Sequence, residues 1–318
     1  MRFGAEASNV ALMSLVSLVK GRRGASGFGY ASTAEEVTAG IDLHGRTILV
    51  TGVNSGLGQE SARVLSMRGA RIIAAARSRE KAADACRGLA TEAVPVACEL
   101  SDPSSVRACI AEVKKLGVAL DVLLCNAGIM ALPTREVLHG QELQFLTNHV
   151  GHFMLVTGLL DALSPSARVV VLSSSAHTRA PPAGIRFDDL SFASGYRPWA
   201  AYGQSKLANL LFARSLARRF AGTSRTANAV HPGVIATNLG RHMGLVARIA
   251  APIATAIALK SVAEGAATQC YVASHPSLAA VSGEYFADCN VAPCSRHGRD
   301  DAMGDRLWTV TEQIVAKL

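Results

Sequence analysis

Tyr202 and Lys206, in Ala201-Tyr202-Gly203-Gln204-Ser205-Lys206, are spaced so that one turn of helix sets a phenol and an ammonium on the same face. A nearby cation favours the phenolate, so the pair predicts a tyrosine that exchanges its proton nearer neutrality than its ordinary value of about 10. That is a general acid/base suited to carbonyl chemistry. The bare pattern also describes an ordinary helix face, and its meaning depends on the elements that position it.

Upstream, the apolar run Thr47-Ile48-Leu49-Val50 stops at Thr51-Gly52-Val53-Asn54-Ser55-Gly56-Leu57-Gly58, and an Ala/Arg/Leu-rich helical segment follows. Strand, glycine turn and helix in that order bring free N–H groups and a helix N-terminus to where a pyrophosphate can sit. Further strand-like runs occur at 71–76, 94–100, 120–125, 168–173, 226–230 and 283–286, most of them separated by helical stretches long enough for crossovers. This alternation predicts an α/β fold: a doubly wound parallel sheet of about seven strands with helices on both faces. Ligands of such sheets gather at the carboxyl ends of the strands, where the glycine loop, Asn126, Ser174 and Pro232-Gly233 all fall. The second strand ends in Ala75-Ala76-Arg77-Ser78-Arg79, without the acid that receives the ribose 2′-hydroxyl of NAD. Arg77 can instead pair with a 2′-phosphate, so NADP(H) is expected; a surface arginine closing a strand is the alternative.

The 318 residues read as one domain, 41–318, behind an N-terminal extension, 1–40. A net charge of +8 raises the question of nucleic acid. The arginines are scattered, however, and aromatics are only 5%, with no basic stripe interleaved by aromatic residues, so no nucleic-acid partner is expected. Seven cysteines without a C-x-x-C predict neither a zinc site nor a disulfide framework, and fit a cytoplasmic or other reducing compartment. The run 10–19 precedes Lys20, Arg22 and Arg23; it is short of the about 20 apolar residues of a membrane span and has its charge on the wrong side for a secretory signal. It reads either as an amphipathic helix for a peripheral membrane or partner contact, or as a helix packed on its own domain.

The spacing T-G-x-x-x-G-x-G, together with Asn126-Ala127-Gly128, Asn148, Ser174 and Tyr202/Lys206, resembles the short-chain dehydrogenase/reductase family from about Ser32 to Thr311. Stretches 142–153, 173–177 and His231-Pro232-Gly233 look like its retinol-dehydrogenase-like branch. Stretches 32–38, 265–268 and 283–286 are similar to chloroplast short-chain dehydrogenases associated with the inner-envelope import machinery, and to their bacterial relatives. The resemblance implies a Rossmann-type fold and four catalytic residues. Tyr202 would exchange a proton with the substrate oxygen, Ser174 would hold that oxygen, Lys206 would bind the nicotinamide ribose, and Asn148 would position a water behind Lys206. It also implies a cofactor site built from Gly52, Asn54, Ser55, Gly56, Leu57, Gly58 and Arg77. Glu99 and Leu100 would lie at the adenine, Asn126, Ala127 and Gly128 would support the sheet, and Pro232, Gly233, Val234 and Thr237 would lie beside the nicotinamide. Glu99 stands where the family usually has Asp, which moves the adenine contact by a methylene.

Ser173 and Ser175 rival Ser174, but alternation along a strand turns Ser173 away. His149, His152 and His177 lack partners at metal-ligand spacing and are read as structural, with no metal expected. Two segments would shape the substrate space: 175–201, and the largely apolar 240–260, which reads as a lid over a lipophilic aldehyde or ketone or as a buried core helix. The alternative function is an NADP(H)-sensing regulator attached to a membrane complex. A homodimer is left open.

Overall fold

The computed structural model describes residues 21–235 and 259–318. Eight strands form the main sheet: β1 (Thr47–Thr51), β2 (Arg71–Ala76), β3 (Ala93–Ala97), β4 (Leu120–Cys125), β5 (Leu163–Leu172), β6 (Thr226–His231), β7 (Tyr285–Ala287) and β8 (Asn290–Val291). Their order is β8-β7-β6-β5-β4-β1-β2-β3. Strands β1 to β7 are parallel and β8 folds back antiparallel on β7. The order reverses between β1 and β4, which opens a crevice at their carboxyl ends.

Alternation along the strands feeds two cores. Leu49, Ile73, Leu123, Val169 and Val171 face one side with α3 (Pro103–Lys115), α4 (residues 143–158), α5 (Pro198–Arg219) and α7 (Asp301–Val315). Ile48, Val50, Ile72, Val122, Leu124 and Val170 face the other with α1 (Gly56–Met67), α2 (Arg79–Cys86) and α6 (Val262–Ser274). Strands buried on both faces read as continuous apolar runs, which is why they are visible in the sequence. Helix starts follow local chemistry. Asp102 accepts from Ser104 N and precedes Pro103 in α3, Ser261 and Glu264 form a reciprocal capping box on α6, and Pro198 opens α5.

Three departures from the sequence expectation stand out. The third strand ends at Ala97, not at Leu100, because Glu99 N turns to Ser105 Oγ (2.9 Å), releasing Cys98, Glu99 and Leu100 into the crevice wall. The fifth begins earlier, at Leu163. The antiparallel β8 has too few residues to carry a period.

Part of the expected extension packs against the core. Phe28 meets Tyr271 edge-on at 5.6 Å, Ser26 N donates to Asn290 Oδ1 (3.0 Å), and Ala34 and Val37 of the helical turn Ala34–Val37 are buried. The apolar run 10–19 lies outside the described residues. Among the described residues no helix is long and apolar enough to cross a membrane.

Candidate active site

A crevice of about 920 Å³ opens where the parallel strands end. Its floor on one side is the loop after β1. Gly58 has no alternative there, since a Cβ would overlap Gly52 O and the Asn126 amide. Ser55 caps α1 with no side-chain hydrogen bond, so the first-turn N–H groups of α1 have no partner in it, and Gly52, Asn54, Ser55 and Leu57 line the crevice beside them. Unpartnered N–H groups with a helix dipole behind them fit a pyrophosphate. Gly56 and Gly58 set the loop's shape from behind and do not line the crevice.

At the far end Arg77 lies exposed at the crevice edge just past β2, with no ion pair among the described residues. Leu100 and Glu99 line the same end, and Glu99 Oε1 accepts from Ser101 N (3.1 Å) and Ser101 Oγ (2.8 Å). The longer side chain thus closes a turn of its own. A 2′-phosphate suits Arg77. The donor set as a whole fits a dinucleotide phosphorylated on the ribose.

Thr51, the last residue of β1, is the hub between this loop and the catalytic residues. Its hydroxyl accepts from Asn126 N (2.9 Å) and Ala127 N (3.0 Å) and donates to His152 Nε2 (2.9 Å), while His152 Nδ1 donates to Asn148 O (2.9 Å). A carbonyl can only accept, which fixes the proton of the neutral ring on Nδ1. Burial pushes the His152 pKa down to about 4 and keeps the ring neutral. Asn126 is held further by Thr51 O (2.8 Å) and by Gln269, whose amide also donates to Ser61 Oγ (2.6 Å).

Asn148 sits in the middle of α4, which is α-helical at Leu143–Phe145 and Gly151–Gly158 and π-helical at Leu146–Val150 between them. Such turns free backbone groups from the regular ladder and recur at functional sites. The Asn148 side chain accepts from Ile129 N (2.8 Å), and donates to Ile129 O (2.9 Å) and Ser205 Oγ (2.9 Å), so it ties the loop after Asn126-Ala127-Gly128 to α5. His149 points instead into an aromatic cluster with Phe145 and Phe212 and bonds Thr311 (3.0 Å).

Ser174 and Tyr202 line the crevice, with Lys206 buried behind them. Ser173 turns inward and donates to Lys206 O (2.7 Å), which leaves Ser174 in the crevice lining beside Tyr202. Lys206 is buried, with Nζ donating to Leu172 O (3.0 Å) and lying 5.7 Å from the Tyr202 ring centroid. The expectation that the cation draws the phenol toward neutrality is corrected here. Burial raises the Tyr202 pKa to about 12 against the opposing hydrogen bond from Ser174, and lowers Lys206 to about 8. Loss of hydration penalises both charged forms and sets the direction of both shifts.

Pro232, Gly233 and Val234 follow β6 along the opposite rim. Thr237 lies outside the described residues, as does the expected lid segment up to residue 258. Ile235 and Lys260, on either side of that stretch, pair in parallel, with Lys260 N donating to Val234 O (2.8 Å). Lys260 is fully buried and its ammonium meets Asp288 at 2.6 Å. Among the described residues no cluster of His, Cys, Asp or Glu could hold a metal ion.

Sequence reasoning quotes Thr51 in the glycine motif without giving it a role, although a threonine closing the strand before that loop was the available signal, and it misses Gln269, whose part depends on what folding brings beside it.

The family model described as short chain dehydrogenase matches residues 46–186. Short-chain dehydrogenase TIC 32 A, chloroplastic, of Brassica napus is 43% identical, covering 96% of this chain and 100% of its own. Retinol dehydrogenase 14 of Homo sapiens is 38% identical, covering 87% of this chain and 88% of its own. The crystal structure of a short chain dehydrogenase from Burkholderia cenocepacia J2315 in complex with NADP matches with a TM-score of 0.60 at 25% identity, over 77% of this chain and 96% of that chain. Likeness that runs nearly end to end, on top of a crevice with this chemistry, decides the assignment: the chain belongs to the short-chain dehydrogenase/reductase family.

Proposed function

We propose that the protein is an NADP(H)-dependent oxidoreductase that interconverts a lipophilic aldehyde or ketone and its alcohol. The observation that carries this reading is Ser174 and Tyr202 side by side in the lining of the crevice, backed by buried Lys206, with Met130, Leu143, Trp199 and Val234 as its apolar lining. The phosphate-fitting loop and Arg77 support the phosphorylated dinucleotide, and the NADP complex of the Burkholderia enzyme agrees. The retinol dehydrogenase likeness supports an apolar substrate.

The bound nicotinamide supplies or accepts the hydride. Every other task belongs to the chain. Tyr202, held as the phenol by burial, gives its proton to the carbonyl oxygen in reduction; in oxidation its phenolate form takes the proton from the alcohol. Ser174 donates to the same oxygen and fixes it beside the phenol. Lys206 stabilises the phenolate as the proton leaves and holds the nicotinamide ribose, and Asn148 keeps the loop at Ile129 and Ser205 of α5 in register behind it.

A screen of NADPH oxidation over lipophilic aldehydes and ketones tests the reading. Turnover that disappears in Tyr202→Phe supports it. Tight NADPH binding with no turnover on any carbonyl compound refutes it in favour of a cofactor-sensing role.

A further inference from the structure

Two arginines line the crevice, one at each end. Arg77 stands among the groups suited to the cofactor; Arg179 ends the 3-10 turn Ser175–Arg179 that follows Ser174 on the substrate side. Its guanidinium lies 4.9 Å from the centroid of the Trp199 ring, and Trp199 meets Tyr202 edge-on with centroids 6.0 Å apart. One indole therefore separates this cation from the phenol that exchanges the proton.

The backbone beneath Arg179 is fixed by α5. A Cβ on Gly203, the neighbour of Tyr202, would lie 2.6 Å from Ala176 O and 2.7 Å from the Arg179 carbonyl carbon, so only glycine lets the turn pack this closely. Stacking on the indole orients the guanidinium and leaves its planar fork of donors for a second partner. Arg179 is exposed at the crevice edge and makes no ion pair among the described residues. Nor does the sequence hold any Asp or Glu between Asp189 and Glu264, a span that includes α5 and everything from β6 to Lys260. Among the described residues, the carboxylate lining the crevice is Glu99, at the adenine end and engaged by Ser101.

We infer that the substrate carries a carboxylate that ends on Arg179. This rests on the reductase reading and narrows its substrate class to oxo acids: a carbonyl against Ser174 and Tyr202, an apolar body along Leu143, Met130 and Trp199, and the acid group beyond the indole. In reduction the carbonyl carbon gains the hydride of NADPH, its oxygen gains the Tyr202 proton, NADPH becomes NADP⁺, and the carboxylate is unchanged. Arg179 is a specificity residue with no part in the bond-making.

Two measurements test this. In the first, NADPH oxidation is followed with ω-oxo acids of six to twelve carbons and with their methyl esters. Wild-type kcat/KM for the best acid should exceed that for its ester by about tenfold or more, as expected for a charge-assisted hydrogen-bonded pair. The ratio should fall to near one in Arg179→Met and stay partly in Arg179→Lys. In the second, calorimetry of the NADP⁺-loaded protein compares fatty acids of six to twelve carbons with the matching alcohols, again in wild type and Arg179→Met. Acid binding that depends on Arg179, with no carbonyl compound reduced, would keep the carboxylate site and overturn the reductase reading. Reduction of neutral aldehydes with no acid preference and no Arg179-dependent acid binding would overturn the carboxylate site and keep the reductase. Absence of both overturns both.

Discussion

The two walls of the crevice are built differently. On the cofactor side the polar atoms are buried and mutually bonded: Thr51 to Asn126, Ala127 and His152, His152 to Asn148, Asn148 to Ile129 and Ser205, and Gln269 to Asn126. On the other side Met130, Trp199 and Val234 are 42–50% exposed, and Arg179 rests on the Trp199 ring with no counter-charge among the described residues. Behind its phosphate-fitting loop the first wall is cross-bonded and preorganised; the other presents exposed apolar side chains and Arg179. A preorganised frame suits positioning of reacting groups, whereas the proposed choice of substrate would fall to the exposed wall.

The sharpest break in this comparison is at the seam between the walls. Tyr202→Phe should lower turnover by roughly 10²–10⁴, the range for a positioned acid/base, while NADPH affinity stays nearly unchanged. Steady-state kinetics with calorimetry of cofactor binding checks both halves, and wild-type turnover would remove Tyr202 from its role.

The next largest effect separates the walls by stability. Thr51→Val removes the acceptor of one buried and one part-buried N–H group and the partner of His152, and should cost about 2–4 kcal/mol. Trp199→Ala, on the exposed wall, should cost under about 1 kcal/mol. Urea unfolding of both variants decides whether the asymmetry is energetic or only geometric; equal losses would erase it.

Much of this architecture is legible in the sequence because it is local or periodic. The strands show as apolar runs, the glycine loop follows β1 directly, and Tyr202 and Lys206 are one helical turn apart. The hub is not legible, because it joins Thr51 to a histidine 101 positions away and Asn126 to a glutamine 143 positions away. The proton affinity of Tyr202 is misread for a related reason: spacing reveals the neighbouring charge, whereas burial is a property of the fold. Arg179 escapes notice since nothing in its surroundings in the chain distinguishes it from a solvated surface arginine.

Within the preorganised wall, Arg77 is the exposed exception, and it should behave like a ligand contact with little effect on the frame. Arg77→Asp should shift the affinity ratio of NADPH to NADH by about 10- to 100-fold toward NADH, through loss of a charge-assisted pair and gain of repulsion. The unfolding midpoint should barely change. Titration of both cofactors gives the ratio, and an unaltered ratio would make Arg77 a surface residue.

The smallest effect concerns Lys206, where the walls meet and where activity and stability should respond to pH with opposite signs. Burial lowers its pKa to about 8, while Tyr202 near about 12 keeps its proton throughout the same range. Carbonyl reduction needs the ammonium, so kcat should be level near neutrality and fall about tenfold per unit above pH 8, as for loss of a single proton. Stability runs the other way. Between about 8 and the ordinary lysine value of 10.5 the unfolded chain binds more protons at this residue than the folded one, so the contribution of Lys206 to stability rises with pH across that window. Lys206→Met should therefore gain most over wild type below pH 8, with the gain shrinking toward pH 10.5; taking the difference between the two proteins cancels the titration of the cysteines and other tyrosines. Lys206→Arg, whose charge persists, should move the alkaline fall in kcat to higher pH. An alkaline limb that stays near pH 8 in Lys206→Arg would assign it to a different group and leave the buried lysine as a structural cation only.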